Sequence, residues 1–200
     1  RLRLSSLDVA EIDPDLFDVI ENESRLLPHI HLSLQAGDNM ILKRMKRRHS
    51  RDDSINLIKK IRDLRPDVVF GSDFIAGFPT ETEEMFQNTI NLIKECNITF
   101  LHVFPFSPRK GTPAARMPQV KGDIIKKRAE VLRQLAKKQI TNYYKKVKDQ
   151  KVSVIVESQN RGRTDNFAKI SIPDNFKNGE LLSMIVTGHN DYGLTGKVIV

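Results

Sequence analysis

Four β-rich runs begin near residues 2, 30, 68 and 98, and a helical pattern follows each of the first three. This alternation constrains the fold more than any other feature, because strand, helix and strand in succession pack as parallel βαβ units. Leu2–Leu7 is a short apolar run, and Ile12–Ile20 follows with helical spacing. His29–Gln35 alternates as a strand does, reading His-Ile-His-Leu-Ser-Leu-Gln. Ile55, Leu57, Ile58, Ile61 and Leu64 recur at helical intervals within Asp52–Leu64. Val68–Ala76 is β-rich. Thr82–Lys94 is helical, with Thr80 or Thr82 as N-cap and glutamates in the first turn. Ile98–Phe106 is β-rich again. The expected class is α/β, with a parallel sheet or (βα) barrel.

The run Ser107-Pro108-Arg109-Lys110-Gly111-Thr112-Pro113 stops this rhythm with a loop. A long amphipathic helix is expected from about Gly122 to Lys148. Its apolar stripe is Ile125, Ala129, Leu132, Ala136, Ile140, Tyr143 and Val147. From Lys151 the texture changes to short strands at Val152–Val156, Phe167–Ile172, Met184–Thr187 and Lys197–Val200. Arg161-Gly162-Arg163, Asn178-Gly179 and Tyr192-Gly193 read as the turns between them. Strands this short and evenly spaced predict a small all-β barrel. The expected division is therefore 1–118, a partial barrel; 119–149, a basic helix; and 150–200, a β domain.

Charge is unevenly placed. Residues 101–150 hold 13 Lys and Arg against 3 Asp and Glu, whereas residues 1–100 hold 14 against 17. Localised positive charge marks a surface for a polyanion. There is a single cysteine, Cys96, at the end of a helical pattern. One thiol rules out an intrachain disulfide and a Cys-rich metal or iron–sulfur site, and it suits a buried structural role. No run approaches the ~20 apolar residues of a membrane span, and no apolar run marks an export signal. A cytoplasmic protein without a membrane partner is expected.

In a (βα) barrel the working groups sit at the carboxyl ends of strands. Those ends offer Ser5 and Ser6, then Gln35 with Ala36-Gly37, then Asp73 with Gly77-Phe78-Pro79, and finally Phe104–Ser107. They contain no nucleophile–base pair and no phosphate loop. Hydroxyls, an amide, a carboxylate and glycines do suit the holding of a polar small molecule with a flat ring. His29 and His31 fall on one face of a strand, but no third ligand stands at metal-site spacing, so no metal site is expected.

Several stretches together resemble the radical S-adenosylmethionine tRNA methylthiotransferases. They are Arg1–Ser6, His29–Gly37, Met45-Lys46-Arg47-Arg48, Asp73–Thr82 and His102–Ala115. The last, with Met117-Pro118, is most similar to the branch acting on N6-threonylcarbamoyladenosine. The isopentenyladenosine branch shares much of the rest. The resemblance implies the second half of a radical S-adenosylmethionine (βα) barrel, then a TRAM-like β domain. Tuned to that fold, Ser6 would lie near the amino group of S-adenosylmethionine, Gln35 would reach its ribose, and Arg47 would pair with its carboxylate. Asp73 would accept from ribose hydroxyls, while Gly77 and Phe104 would border the adenine. No residue is assigned a catalytic role.

The implied activity is methylthiolation at C2 of threonylcarbamoyladenosine next to the anticodon, with tRNA as partner. Arg109, Lys126, Arg133, Lys137, Lys138, Lys145, Arg161 and Arg163 are the cations expected to meet it. The family's cluster-binding Cys-x3-Cys-x2-Cys loop lies upstream of this barrel half. Cys96 alone cannot hold a [4Fe–4S] cluster. The resemblance thus implies a carboxy-terminal fragment, inactive alone, for which a separately encoded amino-terminal half is a conceivable partner. A non-enzymatic RNA-binding fragment and a non-functional gene remnant are the alternatives.

Overall fold

A computed structural model describes residues 1–199, so the last residue of the expected strand Lys197–Val200 lies outside the described residues. The chain divides into two compact units. Unit 1 comprises residues 1–26 and 30–139; unit 2 comprises residues 27–29 and 140–200.

Unit 1 is built on three strands, β1 (His29–Gln35), β2 (Val69–Ala76) and β3 (Phe100–Pro105), in the sheet order β1-β2-β3. β2 and β3 run parallel, with Asp73 opposite His102 and Ile75 opposite Phe104. Helices α1 (Pro14–Asn22), α2 (Asn39–Arg44), α3 (Arg51–Leu64) and α4 (Glu83–Glu95) alternate with the strands. Each begins on a side chain that accepts from the otherwise orphaned amides of the first turn. Asp13 serves α1 with Pro14 in the first position, and Asp38 serves the short α2. Ser50 and Asp53 form a reciprocal capping box on α3. Thr82, rather than Thr80, caps α4.

Leu2–Leu7 does not form the expected strand. Only Leu2 and Leu7 bridge to neighbours, at Leu26 and Leu32. Asp8 then accepts from Ala10 N and turns the chain into a short 3-10 helix, Val9–Glu11, which ends the pairing.

One face of the sheet is core. Ile30, Leu32, Leu34, Phe70 and Phe74 are at most 1% exposed and pack against Ile58 and Ile61 of α3 and Leu92 and Ile93 of α4. Each such side chain contributes ~1.5–3 kcal/mol on leaving water. The alternate residues form an open face: His31, Ser33 and Gln35 from β1, Asp73 and Ile75 from β2, His102 and Phe104 from β3. The period of two in the strand places these polar and aromatic groups together.

After β3 come the short α5 (Pro113–Arg116) and the long α6 (Gly122–Lys146). In unit 1, α6 contributes Ala129, Leu132 and Leu135 to the core.

Unit 2 is a closed five-stranded barrel, β4 (Lys151–Ser158), β5 (Arg161–Thr164), β6 (Lys169–Ser171), β7 (Leu181–His189) and β8 (Leu194–Val198), ordered β4-β5-β6-β8-β7. Only the β6–β8 pair is parallel. Closure removes exposed sheet edges. Arg161-Gly162-Arg163 is strand β5 and not the expected turn. Asn160, at φ 59°, makes the reversal just before it. Gly162 is needed inside the strand because a Cβ there would stand 2.5 Å from Val154 Cγ1.

Candidate functional site

The open face of unit 1 carries a pocket of about 520 Å³. That is within the range of small-molecule sites. Gln35, Asp73, Ile75, Phe104 and Phe106 line it, with Ser107, Arg109 and Thr112 at its border. A smaller pocket of about 350 Å³ shares Gln35 and Ile75 and adds Met45, Arg47 and Phe78. The carboxyl ends of β1, β2 and β3 thus converge on one concave surface.

Gln35 closes β1 in the left-handed region, at φ 66°. This is an uncommon conformation for a residue with a Cβ, held only where the surroundings dictate it. The next turn is fixed from below. Gly37 N donates to Thr89 Oγ1 at 2.9 Å, and α4 lies so close that a Cβ on Gly37 would meet Thr89 Cα at 2.7 Å.

Gly77 follows β2 at φ 76°. Its N–H donates to Glu81 Oε2 at 2.9 Å, and a Cβ there would stand 2.5 Å from Ile125 Cγ1 of α6. Glu81 in turn receives Arg128 Nη1 at 2.9 Å, with both side chains at most 7% exposed. Burial pushes the Glu81 carboxyl above its ordinary range, against the opposing pull of Gly77 N–H and Arg128. Arg128 also donates to the Glu81 carbonyl and to Glu83. The loop Gly77–Glu83 is therefore locked onto α6 by one buried ion pair. Gly77 lines neither pocket; its amide is used internally.

Arg47 lines the smaller pocket but is already engaged. Its Nη2 donates to Ser33 O at 2.7 Å and stands 3.0 Å from Asp8 Oδ2. Its buried Nε has no hydrogen-bond partner. Burial raises the Asp8 carboxyl, but Ala10 N–H, Arg47 and His49 outweigh it and leave Asp8 below the ordinary range. Ser6 is exposed and shares a 2.6 Å hydrogen bond with Ser33 Oγ. It borders neither pocket.

Asp73 holds the centre of the open face. Its Oδ1 lies 3.1 Å from His31 Nε2 and 3.2 Å from His102 Nδ1. Burial holds His31 below its ordinary value, with Asp73 pulling the other way. Forty-two residues separate His31 from Asp73, so spacing along the chain could not reveal this group. Only the register of β2 on β3, with His31 placed one strand over, brings the three together. His29 is elsewhere, stacked on Phe167 at 4.5 Å.

The candidate RNA-binding cations fall in different settings. Lys126, Arg133, Lys137, Lys138 and Lys145 are exposed along α6, and Arg133 makes only a 3.7 Å surface pair with Glu130. Arg109 borders the larger pocket. In unit 2, Arg161 lies over the Tyr192 ring at 5.5 Å. Arg163 is committed to Glu157 at 2.6 Å and to Phe167 O. Cys96 is 2% exposed, and burial pushes its thiol up to about 11. A single inert thiol does not fit an iron–sulfur cluster, which takes several thiolates.

The chain matches the Radical SAM superfamily over residues 5–93. In fold, it is similar to coproporphyrinogen III oxidase from Escherichia coli, described as a radical SAM enzyme. The TM-score is 0.56 at 18% identity, covering 67% of this chain and 31% of that one. Unit 1 thus carries a radical SAM fold.

More particularly, the chain is similar to tRNA methylthiotransferases. It is 50% identical to the threonylcarbamoyladenosine tRNA methylthiotransferase MtaB of Rickettsia prowazekii, over 94% of this chain and 45% of the relative. It is 34% identical to the tRNA-2-methylthio-N(6)-dimethylallyladenosine synthase of Neorickettsia sennetsu, over 94% of this chain and 40% of that one. The chain spans less than half the length of these relatives.

Proposed function

We propose that the chain takes part in methylthiolation at C2 of N6-threonylcarbamoyladenosine beside the tRNA anticodon, supplying the S-adenosylmethionine cradle and the RNA-holding elements. The observation that carries this reading is the single pocket on which Gln35, Asp73 and Phe104 converge from three adjacent strands. An amide and a carboxylate suit the two ribose hydroxyls, and a half-exposed Phe104 ring suits the face of an adenine. When bound, S-adenosylmethionine supplies the transferable methyl group and the adenosyl moiety. Arg47, which lines the adjoining pocket, meets its carboxylate. Ser6 acts near its amino group beside Ser33. Gly77 serves by keeping its loop close to α6.

The cluster that the family uses finds no ligand set here, because Cys96 is the sequence's single cysteine. The ligands must come from outside these 200 residues. The closed barrel of unit 2 is read as TRAM-like, a small β module next to a basic helix. The working division of the chain is 1–118, 119–149 and 150–200. tRNA is met by the exposed cations of α6 and separately by Arg161. Among the described residues no helix is long and apolar enough to cross a membrane. A cytoplasmic site of action follows from the substrate.

A segment swap tests this reading. The matching part of the Rickettsia prowazekii relative is replaced by this chain in cells lacking their own enzyme. Mass spectrometry of tRNA nucleosides should find methylthiolated threonylcarbamoyladenosine, strongly reduced by Asp73→Asn. A folded, iron-loaded chimera that leaves the nucleoside unmodified refutes the proposal.

A further inference from the structure

His31, Asp73 and His102 come from three neighbouring strands and meet on the open face of unit 1. One donor atom from each lies within 4.8 Å of the other two. Asp73 Oδ1 is the shared vertex, 3.1 Å from His31 Nε2 and 3.2 Å from His102 Nδ1. The two imidazoles lie 5.1 Å apart, tilted by 37°. His31 Nε2 is hydrogen-bonded to Asp73 Oδ1, and His102 Nδ1 stands within ion-pair reach of the same oxygen.

Two of the three edges suit a metal ion, and the third lies within 4.8 Å. Zinc-type ions take imidazole nitrogen and carboxylate oxygen at about 2.0–2.2 Å. Edges of 3.1 and 3.2 Å subtend roughly 95–100° at an ion about 2.1 Å from each atom. Those angles lie between octahedral and tetrahedral values. Two imidazoles and one carboxylate form the donor set of divalent transition ions, with further positions left open. His31 is only 15% exposed at the side chain and Asp73 27%, so two donors are held rigidly by the sheet, while His102, at 52%, leaves an approach from solvent.

We propose that His31, Asp73 and His102 form a binding site for a divalent transition-metal ion of the zinc type, with coordination positions open to solvent. An ion at Oδ1 takes the unprotonated nitrogen of each neutral imidazole, whose one proton shifts to its other ring nitrogen. Asp73 also lines the larger pocket. The site shares Asp73 with the cofactor reading but is tested without S-adenosylmethionine, so its failure would leave that reading untouched.

The test is equilibrium dialysis of the 200-residue chain against Zn²⁺, with Co²⁺ as a spectroscopic probe, in the absence of S-adenosylmethionine. One ion per chain is expected, with visible Co²⁺ absorption from nitrogen and oxygen ligation. His102→Ala and Asp73→Asn should each weaken binding by more than about 10-fold, since loss of a mere outer-shell partner already costs that much. Circular dichroism checks the fold. Should Asp73→Asn unfold, the half-exposed His102 decides the matter. Absence of stoichiometric binding, or equal affinity in His102→Ala, overturns the proposal. Binding lost instead on His189→Ala overturns it too.

Discussion

Replacing Arg128 by Met removes one partner of a buried ion pair while keeping an unbranched stem over the Phe86 ring, which the guanidinium faces at 5.3 Å. Glu81 then remains 1% exposed at its side chain with a charge and no cation. Breaking a buried pair in this way costs about 3–5 kcal/mol in general. Here Glu81 has an escape, because it can take up a proton. Protonating a carboxyl of ordinary value 4.5 at pH 7 costs about 3.4 kcal/mol at ~1.36 kcal/mol per pH unit. At pH 5 the same step costs about 0.7 kcal/mol. Loss of the donor to the Glu81 carbonyl adds about 1 kcal/mol at either pH.

Arg128→Met should therefore cost about 4–5 kcal/mol at pH 7 and roughly half that or less at pH 5. Denaturant unfolding at the two pH values measures it. Adding Glu81→Gln should recover most of the loss at pH 7. A loss under about 1 kcal/mol at pH 7, or no recovery in the double variant, would show that the pair is not the lock that holds the Gly77 loop.

Two further outcomes are expected. His31 and His49 are both held below their ordinary 6.5, chiefly by burial. Below about pH 6.5 the unfolded chain takes up protons that the folded chain refuses, so stability should fall, by at most ~1.4 kcal/mol per pH unit for each histidine. His49→Gln should reduce that slope between pH 7 and 6, as measured by denaturant midpoints; an unchanged slope would contradict the assignment. A salt titration of tRNA binding should give a log–log slope near −4 for four or five phosphate contacts. A Lys126→Glu, Lys137→Glu, Lys138→Glu variant should bind more weakly with a shallower slope. Equal slopes would leave those lysines as solvated surface.

The α/β rhythm was legible because helices α1, α3 and α4 each carry their own apolar spacing. Thr82 declares a helix without help from the rest of the chain, whereas the Ser50 cap of α3 shows only in the structure. Leu2–Leu7 misled because apolar content says nothing of partners, and only two of its residues find one. Arg161-Gly162-Arg163 misled for the opposite reason. Glycine between two arginines looks like a reversal, yet it stands in a strand because Val154 leaves no room for a Cβ. Gln35, Asp73 and Phe104 were legible as strand ends. The contacts of Arg47 with Asp8, of Glu81 with Arg128 and of His31 with His102 were not. Each joins distant segments through register or helix packing, which local patterns do not encode.

Cys96 turns the chain into its own clock. The thiol ends α4, its N–H bonded to Leu92 O and its carbonyl held by Arg62 at 2.7 Å. With one cysteine there is one place for an alkylating reagent to react, and no engineering is needed to make the signal unique. A reagent can reach it only when the end of α4 opens, because the residue is buried. The labelling half-life therefore counts those openings directly. Followed across denaturant, it would tell whether this corner of unit 1 comes apart by itself or only with the whole sheet.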